Sequence, residues 1–374
     1  MPLHVLVVPD KFKGTLTAEG AARAIARGWR RARPADRVTL LPLSDGGDGF
    51  GDVLGRLLGA RQRKIQTVDA AHQRLTAAWL WDPQTKTAVI ESAKVIGLAL
   101  LPPGKFHPFK LDTFGLGAVL RSAFKAGARH CVVGLGGSAT NDGGFGLARA
   151  LGWEFADANG AAIHEWTALG EFEALRPPVK RSWFRDLSVA VDVRNPLLGP
   201  RGATRVYGPQ KGLRRGDFAL AERCLGRLAL VCRRHFGADY AREPGAGAAG
   251  GLGFGFRAFA GARIVPGFDL LADRAGLEEH LRASDLVLTA EGCIDASTLM
   301  GKAAGQIARR CRKLKIPCIA LAGVVSSETA GAGGLFAQLH SLTGLTTVAR
   351  AKAEPSLWLE RLAAKVACGV MRDA

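Results

Sequence analysis

The chain has 374 residues, 48% of them apolar, and a formal net charge of +18 at pH 7. That length is long for one core and comfortable for two domains. No run reaches the ~18–20 apolar residues of a membrane span, the opening MPLHVLVV lacks the basic n-region of a signal peptide, and the seven cysteines contain no C-x-x-C pair, which disfavours a disulfide framework or a zinc site.

A cytoplasmic protein is expected. The charge invites a polyanion partner, because basic proteins bind nucleic acid by releasing counterions. Its distribution weakens that reading. The basic residues fall mostly in scattered pairs and aromatics are only 7% of the chain. The densest cluster, Arg309 to Lys315, sits before Pro317 at an apparent helix C-terminus, where cations complement the helix dipole. A diffuse positive field would still gather small anions.

In chain order, Val5 to Val8 reads as a buried strand, and Ala21, Ala22, Ile25, Ala26 and Trp29 mark one face of the helix that follows. Val38 to Leu43 is a second strand, running into the loop SDGGDG (44–49). Val53, Leu54, Leu57 and Leu58 then suggest a helix. The middle of the chain is richer in glycine and in polar strand candidates, such as Thr76 to Trp81 and Thr87 to Ser92. His130 to Val133 is a β-branched run, followed by GLGGSATNDGG (134–144) and by the helical spacing of Phe145 to Leu151. Ser188 to Asp192 is another strand. Near the end, Asp285 to Thr289 and Cys318 to Leu321 look like buried parallel strands, separated by a helix over Ala303 to Lys315.

Alternation of strand and helix at both ends predicts an α/β protein of two domains. A Rossmann-like parallel-sheet domain takes residues 1–64 and 285–374, and a mixed α/β domain is inserted at 65–284.

The glycine-rich loops carry the chemistry. Gly134 to Gly144 lies between strand and helix, where backbone N–H groups and the helix dipole hold phosphate. Gly136 and Gly137 allow close approach, while Ser138, Thr140 and Asn141 offer polar side chains. It is not a Walker A loop, for G-x-x-x-x-G-K-[ST] is absent. The segment Gly245 to Gly250 matches the dinucleotide fingerprint G-x-G-x-x-G, but Glu243 and Pro244 precede it where a strand should be. An NAD(P)-dependent hydroxy-acid dehydrogenase is therefore the weaker alternative, alongside a basic nucleic-acid-binding protein. Asp45 and Asp48, Asp192, and Glu291 with Asp295 lie at or just after strand ends, where ligands of α/β sheets bind. Such acids beside glycine-rich loops suit Mg²⁺ with a nucleotide.

Together the segments PDKFKGTLT (9–17), SDGGDG (44–49), GLGGSATNDGG (134–144), DVRNPLLGPRG (192–202), GPQKG (208–212), PGAGAAGGLG (244–253) and EGCIDASTLMGK (291–302) resemble the bacterial glycerate kinase family, type I. The resemblance spans nearly the whole chain in order. It implies ATP-dependent phosphorylation of D-glycerate, usually at the 2-hydroxyl, with Mg²⁺, in a cleft between two α/β domains. D-glycerate and ATP are then the partners, with no nucleic acid and no membrane. The oligomeric state stays open, a homodimer among the options.

Within these motifs Asp192, Asp295 and Lys13 are the catalytic candidates, one of the two acids serving as hydroxyl-orienting base. Lys11, Asp45, Arg201 and Lys211 are candidates for substrate binding, and Lys302 joins the 134–144 loop on the nucleotide phosphates. Asp48 and Glu291 are candidate metal ligands. Two departures stand out. Cys293 replaces the arginine of the family's G-E-G-R-x-D, removing a guanidinium that could bind an anion bidentately. Asp48 replaces a glutamate, a change of one methylene.

Overall fold

The computed structural model describes residues 1–44, 49–179, 182–299, 302–326 and 334–370. The chain forms two compact units, Met1–Asp45 with Phe268–Ala374, and Gly46–Gly267.

The first unit is built on a five-stranded parallel sheet in the order Gln338–Ser341, Cys318–Val325, Leu286–Ile294, His4–Pro9 and Arg37–Leu40. Residues from both termini therefore share one sheet, with Val5 opposite Leu286 and Val287 opposite Cys318. The central strands are mostly apolar and buried, as expected when helices cover both faces of a parallel sheet. The helix Ala18–Ala32 is capped by Thr17, whose side chain accepts from the Gly20 N–H, the usual N-cap arrangement. Its buried face, Ala21, Ala22, Ile25 and Trp29, is the one its spacing predicts. It crosses the C-terminal helix Pro355–Val370 at Gly28, where a Cβ would stand 2.0 Å from the Glu360 carbonyl oxygen. Only glycine lets the two backbones approach so closely. The Arg309–Lys315 cluster closes the helix Ala303–Leu314, and within it Arg310 bonds Asp269 at 2.8 Å and stacks over the Phe268 ring. Residues 268–284, grouped by sequence with the insertion, are drawn into this unit by such contacts.

The second unit holds a six-stranded mixed sheet in the order Arg263–Pro266, Asp186–Val191, His130–Gly134, Thr87–Glu91, Arg74–Asp82 and Arg61–Val68. The first four strands are mutually parallel, Arg74–Asp82 runs antiparallel to them, and Arg61–Val68 runs antiparallel to Arg74–Asp82. Helix Phe50–Leu57 belongs here, although its position in the sequence places it with the first segment. Phe50 is fully buried, and a Cβ on Gly134 would stand 2.8 Å from its ring. Five of the seven cysteines (131, 224, 232, 311 and 318) are buried and all seven are unpaired, behaving as small apolar residues. No helix of the described residues is long and apolar enough to cross a membrane.

Candidate active site

In the first unit the polar groups gather where parallel strands end. His4–Pro9 pairs with Leu286–Ile294 up to Pro9 opposite Ala290. The residues just beyond, Asp10 to Lys13 on one side and Glu291 on the other, are therefore neighbours. The backbone of Phe12 and Lys13 lies against Gly292, whose Cβ would stand 3.3 Å from the Phe12 Cα. Lys11 is half-buried and Lys13 exposed.

The strand expected to stop at Thr289 runs on to Ile294, so Glu291 lies within it and is buried. One of its oxygens, Oε1, accepts from Thr298 Oγ1 at 3.1 Å and from Lys302 Nζ at 3.3 Å. Lys302 also reaches Asp295 at 3.4 Å. The other oxygen, Oε2, is buried with no hydrogen-bond partner among the described residues. Burial pushes the Glu291 carboxyl upward, more than Lys302 and Thr298 pull it down. For Lys302 burial acts downward, but the charges of Glu291 and Asp295 outweigh it and raise the ammonium.

Among the described residues no group of three or more His, Cys, Asp or Glu could hold a metal. Mg²⁺ makes a smaller demand, one or two carboxylates completed by phosphate and water. The unpartnered, buried Glu291 oxygen, with Asp295 sharing the same lysine, fits that demand. Cys293 is exposed, and its thiol is raised by burial of its surroundings and by Asp295. It therefore lies in the field of this cluster. Asp45 and Asp48 lie outside the described residues.

In the second unit three glycine-rich segments interlock at the ends of parallel strands. The Gly134–Gly144 loop leaves its strand beside Thr87–Glu91 and turns through left-handed Gly137, Gly143 and Gly144. Its hydroxyls serve the loop itself: Ser138 Oγ and Thr140 Oγ1 are 2.9 Å apart, and the Thr140 N–H donates to Ser138 Oγ. Asn141 is fully buried, donates through Nδ2 to Thr204 Oγ1 at 3.1 Å, and leaves Oδ1 with no partner among the described residues.

Asp142, absent from the sequence candidates, anchors the loop. Its buried carboxylate accepts from the Thr113 N–H and Oγ1, at 3.0 and 2.7 Å, and from the N–H groups of Gly144 and Gly146. Burial, reinforced by Asp112, still pushes it up to about 6. The second segment follows Asp186–Val191. Asp192 is exposed at the strand end and bears on Tyr207, whose phenol is raised to about 12 by burial and then by that charge. Tyr207 donates to Asn195 Oδ1 at 2.6 Å, and Asn195 donates to the carbonyl of the exposed Arg201.

The third segment packs against the other two. Gly250, at φ +73°, would place a Cβ 1.9 Å from the Thr140 carbonyl oxygen, and Gly247 would place one 2.2 Å from that of Pro196. The Gly143 N–H donates to the Gly250 carbonyl at 3.0 Å. These glycines serve close packing of chain against chain. A 3-10 turn, Tyr240–Arg242, precedes them in place of the strand a dinucleotide fingerprint needs. Lys211 is buried, with Nζ on the Thr140 carbonyl at 2.6 Å.

Thus the structure gathers Lys11, Lys13, Glu291, Asp295 and Lys302 in one unit, and Gly136 to Asn141, Asp192, Arg201 and Lys211 in the other. Asp142, Thr204, Thr298 and Tyr207 join them without having been singled out. An aspartate beside glycines was the available signal for Asp142, but it marks turns and caps equally well.

Two α/β units with carboxylates, lysines and glycine-rich turns at the C-terminal ends of parallel strands define the class: an α/β protein equipped for small anionic ligands. The sequence matches the glycerate kinase family over residues 5–371, and the chain belongs to that family. It is 36% identical over 325 residues to the glycerate kinase of Halalkalibacterium halodurans, covering 85% of each chain. It is 33% identical over 384 residues to the glycerate 2-kinase of Escherichia coli, covering both chains fully. A crystal structure of putative glycerate kinase 2 from Salmonella typhimurium LT2 superposes with a TM-score of 0.84 at 30% identity, over 100% of this chain and 99% of that one.

Proposed function

We propose that the protein transfers the γ-phosphoryl group of ATP to D-glycerate, at the 2-hydroxyl, by direct in-line displacement. Family membership supports the kinase class. The single structural observation that carries the reading is the interlocked 134–144 loop, whose one buried side chain with an unused acceptor, Asn141, sits between Asp142 and a helix start at Thr204.

In this reading the backbone N–H groups of Gly136 and Gly137 favour phosphate. Lys302 and Lys13 neutralise charge developing on the transferring group. Asp192, exposed at its strand end, orients the glycerate hydroxyl and takes its proton. Arg201 and Lys11 bind the glycerate carboxylate. Glu291 and Asp295 hold Mg²⁺, which when bound offsets charge on the phosphate oxygens. Lys302 is shared between these two acids.

The test is ³¹P NMR of the product made from D-glycerate, ATP and Mg²⁺. A 2-phosphoglycerate signal with stoichiometric ADP is expected. A 3-phosphoglycerate signal would overturn the regiochemistry, and no turnover would overturn the kinase reading.

A further inference from the structure

The GPQKG motif (208–212) has no direct part in the chemistry above, yet its lysine is one of the most deeply placed charges in the second unit. Helix Ala203–Lys211 ends in this motif. Pro209 lies inside its last turn, and Gly212 terminates it in the left-handed region at φ +105°. Proline weakens the turn by removing an N–H, and a left-handed glycine after the last residue is a common helix stop. The helix therefore ends with Lys211 turned inward, 7% exposed.

The same helix grips the 134–144 loop at two consecutive residues. Thr204, in its first turn, accepts from Asn141 Nδ2 at 3.1 Å, and Lys211, its last residue, donates to the Thr140 carbonyl at 2.6 Å. Gly250 closes on that carbonyl from elsewhere in the unit, leaving no room for a Cβ. Leaving a lysine almost without water is costly unless it is paired or hydrogen-bonded. Here it has one carbonyl and the field of Asp142. An apolar side chain would fill this place more cheaply if packing alone were at stake.

We propose that Lys211 is a positioning residue: its Nζ holds the Thr140 carbonyl and so sets Thr140 and Asn141 for a phosphate-bearing ligand that it does not itself touch. This replaces a direct contact between Lys211 and glycerate, and it rests on the kinase reading only for the identity of that ligand.

Lys211→Met and Lys211→Gln test it in the full chain, by hydrogen exchange and by steady-state kinetics. In Lys211→Met the amides of Thr140 to Gly144 should exchange at least tenfold faster, while those of the His4–Pro9 and Leu286–Ile294 strands stay unchanged. KM for ATP should rise at least tenfold with KM for glycerate within about threefold. Lys211→Gln, which retains a donor, should fall between that variant and the unaltered protein. Loop exchange unchanged in Lys211→Met, or both variants failing to fold, would overturn the proposal and leave Lys211 a stability element. Faster loop exchange in a protein that shows no turnover even before mutation would uphold the positioning role and sink the kinase reading instead. Faster exchange with ATP KM unchanged would overturn the link to the phosphate ligand.

Discussion

Replacing Gly250 by alanine should disable the protein through the backbone of another segment. Gly250 sits at φ +73°, and its added Cβ would meet the Thr140 carbonyl oxygen at 1.9 Å, the carbonyl carbon at 2.7 Å and the Asn141 Cα at 2.8 Å. All three are backbone atoms, so no rotamer can relieve the clash. Ordinary contact demands that the Thr140 carbonyl retreat by roughly 1.5 Å. The left-handed conformation itself costs a non-glycine residue about 1–2 kcal/mol, and overpacking adds about 1–3 kcal/mol. In a unit of this size the sum lowers Tm on the order of 10 °C.

Gly261→Ala separates strain from displacement, since Gly261 is also left-handed, at φ +67°, but has nothing within 4 Å of its Cβ. It should lose about 1 kcal/mol and keep its activity. Gly250→Ala should lose about 10²-fold in kcat/KM, the cost expected of a misplacement near 1 Å. Both are measured by ADP release coupled to glycerate, below the melting range of each variant. Gly250→Ala with kcat/KM within threefold of Gly261→Ala would refute the claim that the loop's position governs turnover.

Asp192→Asn should lower kcat by about 10²–10⁴ with little change in ATP affinity, whereas Asp295→Asn should raise the Mg²⁺ requirement, partly rescued by excess Mg²⁺; turnover within threefold for both would make them structural. Cys293→Arg, placed in the field of Glu291, Asp295 and Lys302, should shift the glycerate KM modestly, and an unchanged KM and substrate preference would put position 293 outside the site. Burial lowers Lys211 to about 7, with Asp142 opposing. From about 7 up to the ordinary lysine range the unfolded chain thus binds more protons at this position, and the folded state gains stability as pH rises. Compared with Lys211→Met, the unaltered protein should gain up to about 1.4 kcal/mol per pH unit between pH 7 and 9; denaturant melts with parallel pH profiles for the two would contradict it.

How much of this was legible beforehand follows from range. Short apolar runs placed the central strands within a few residues, because burial on both faces leaves no polar alternation to misread. The helix Ala18–Ala32 showed its buried face through spacing, and the glycine clusters marked turns that other residues adopt only with strain. Motif order over the whole chain carried the family. Other features depended on contacts between distant residues. Thr140 meets Lys211 across 71 positions and Asn141 meets Thr204 across 63, separations over which local periodicity says nothing. Lys211 was a substrate-binding candidate through its motif, and only the packing of its helix turns it onto a carbonyl. Asp142 was not among the candidates, and only folding gave its carboxylate four donors. The unit boundaries also moved, since Phe50 and Phe268 go where their rings can be buried rather than where the sequence texture changes. Composition and short-range pattern decided which residues form strands, turns and motifs, while the tertiary fold alone decided which charges lose their water and what they hold, because desolvation depends on neighbours the chain brings in from far away.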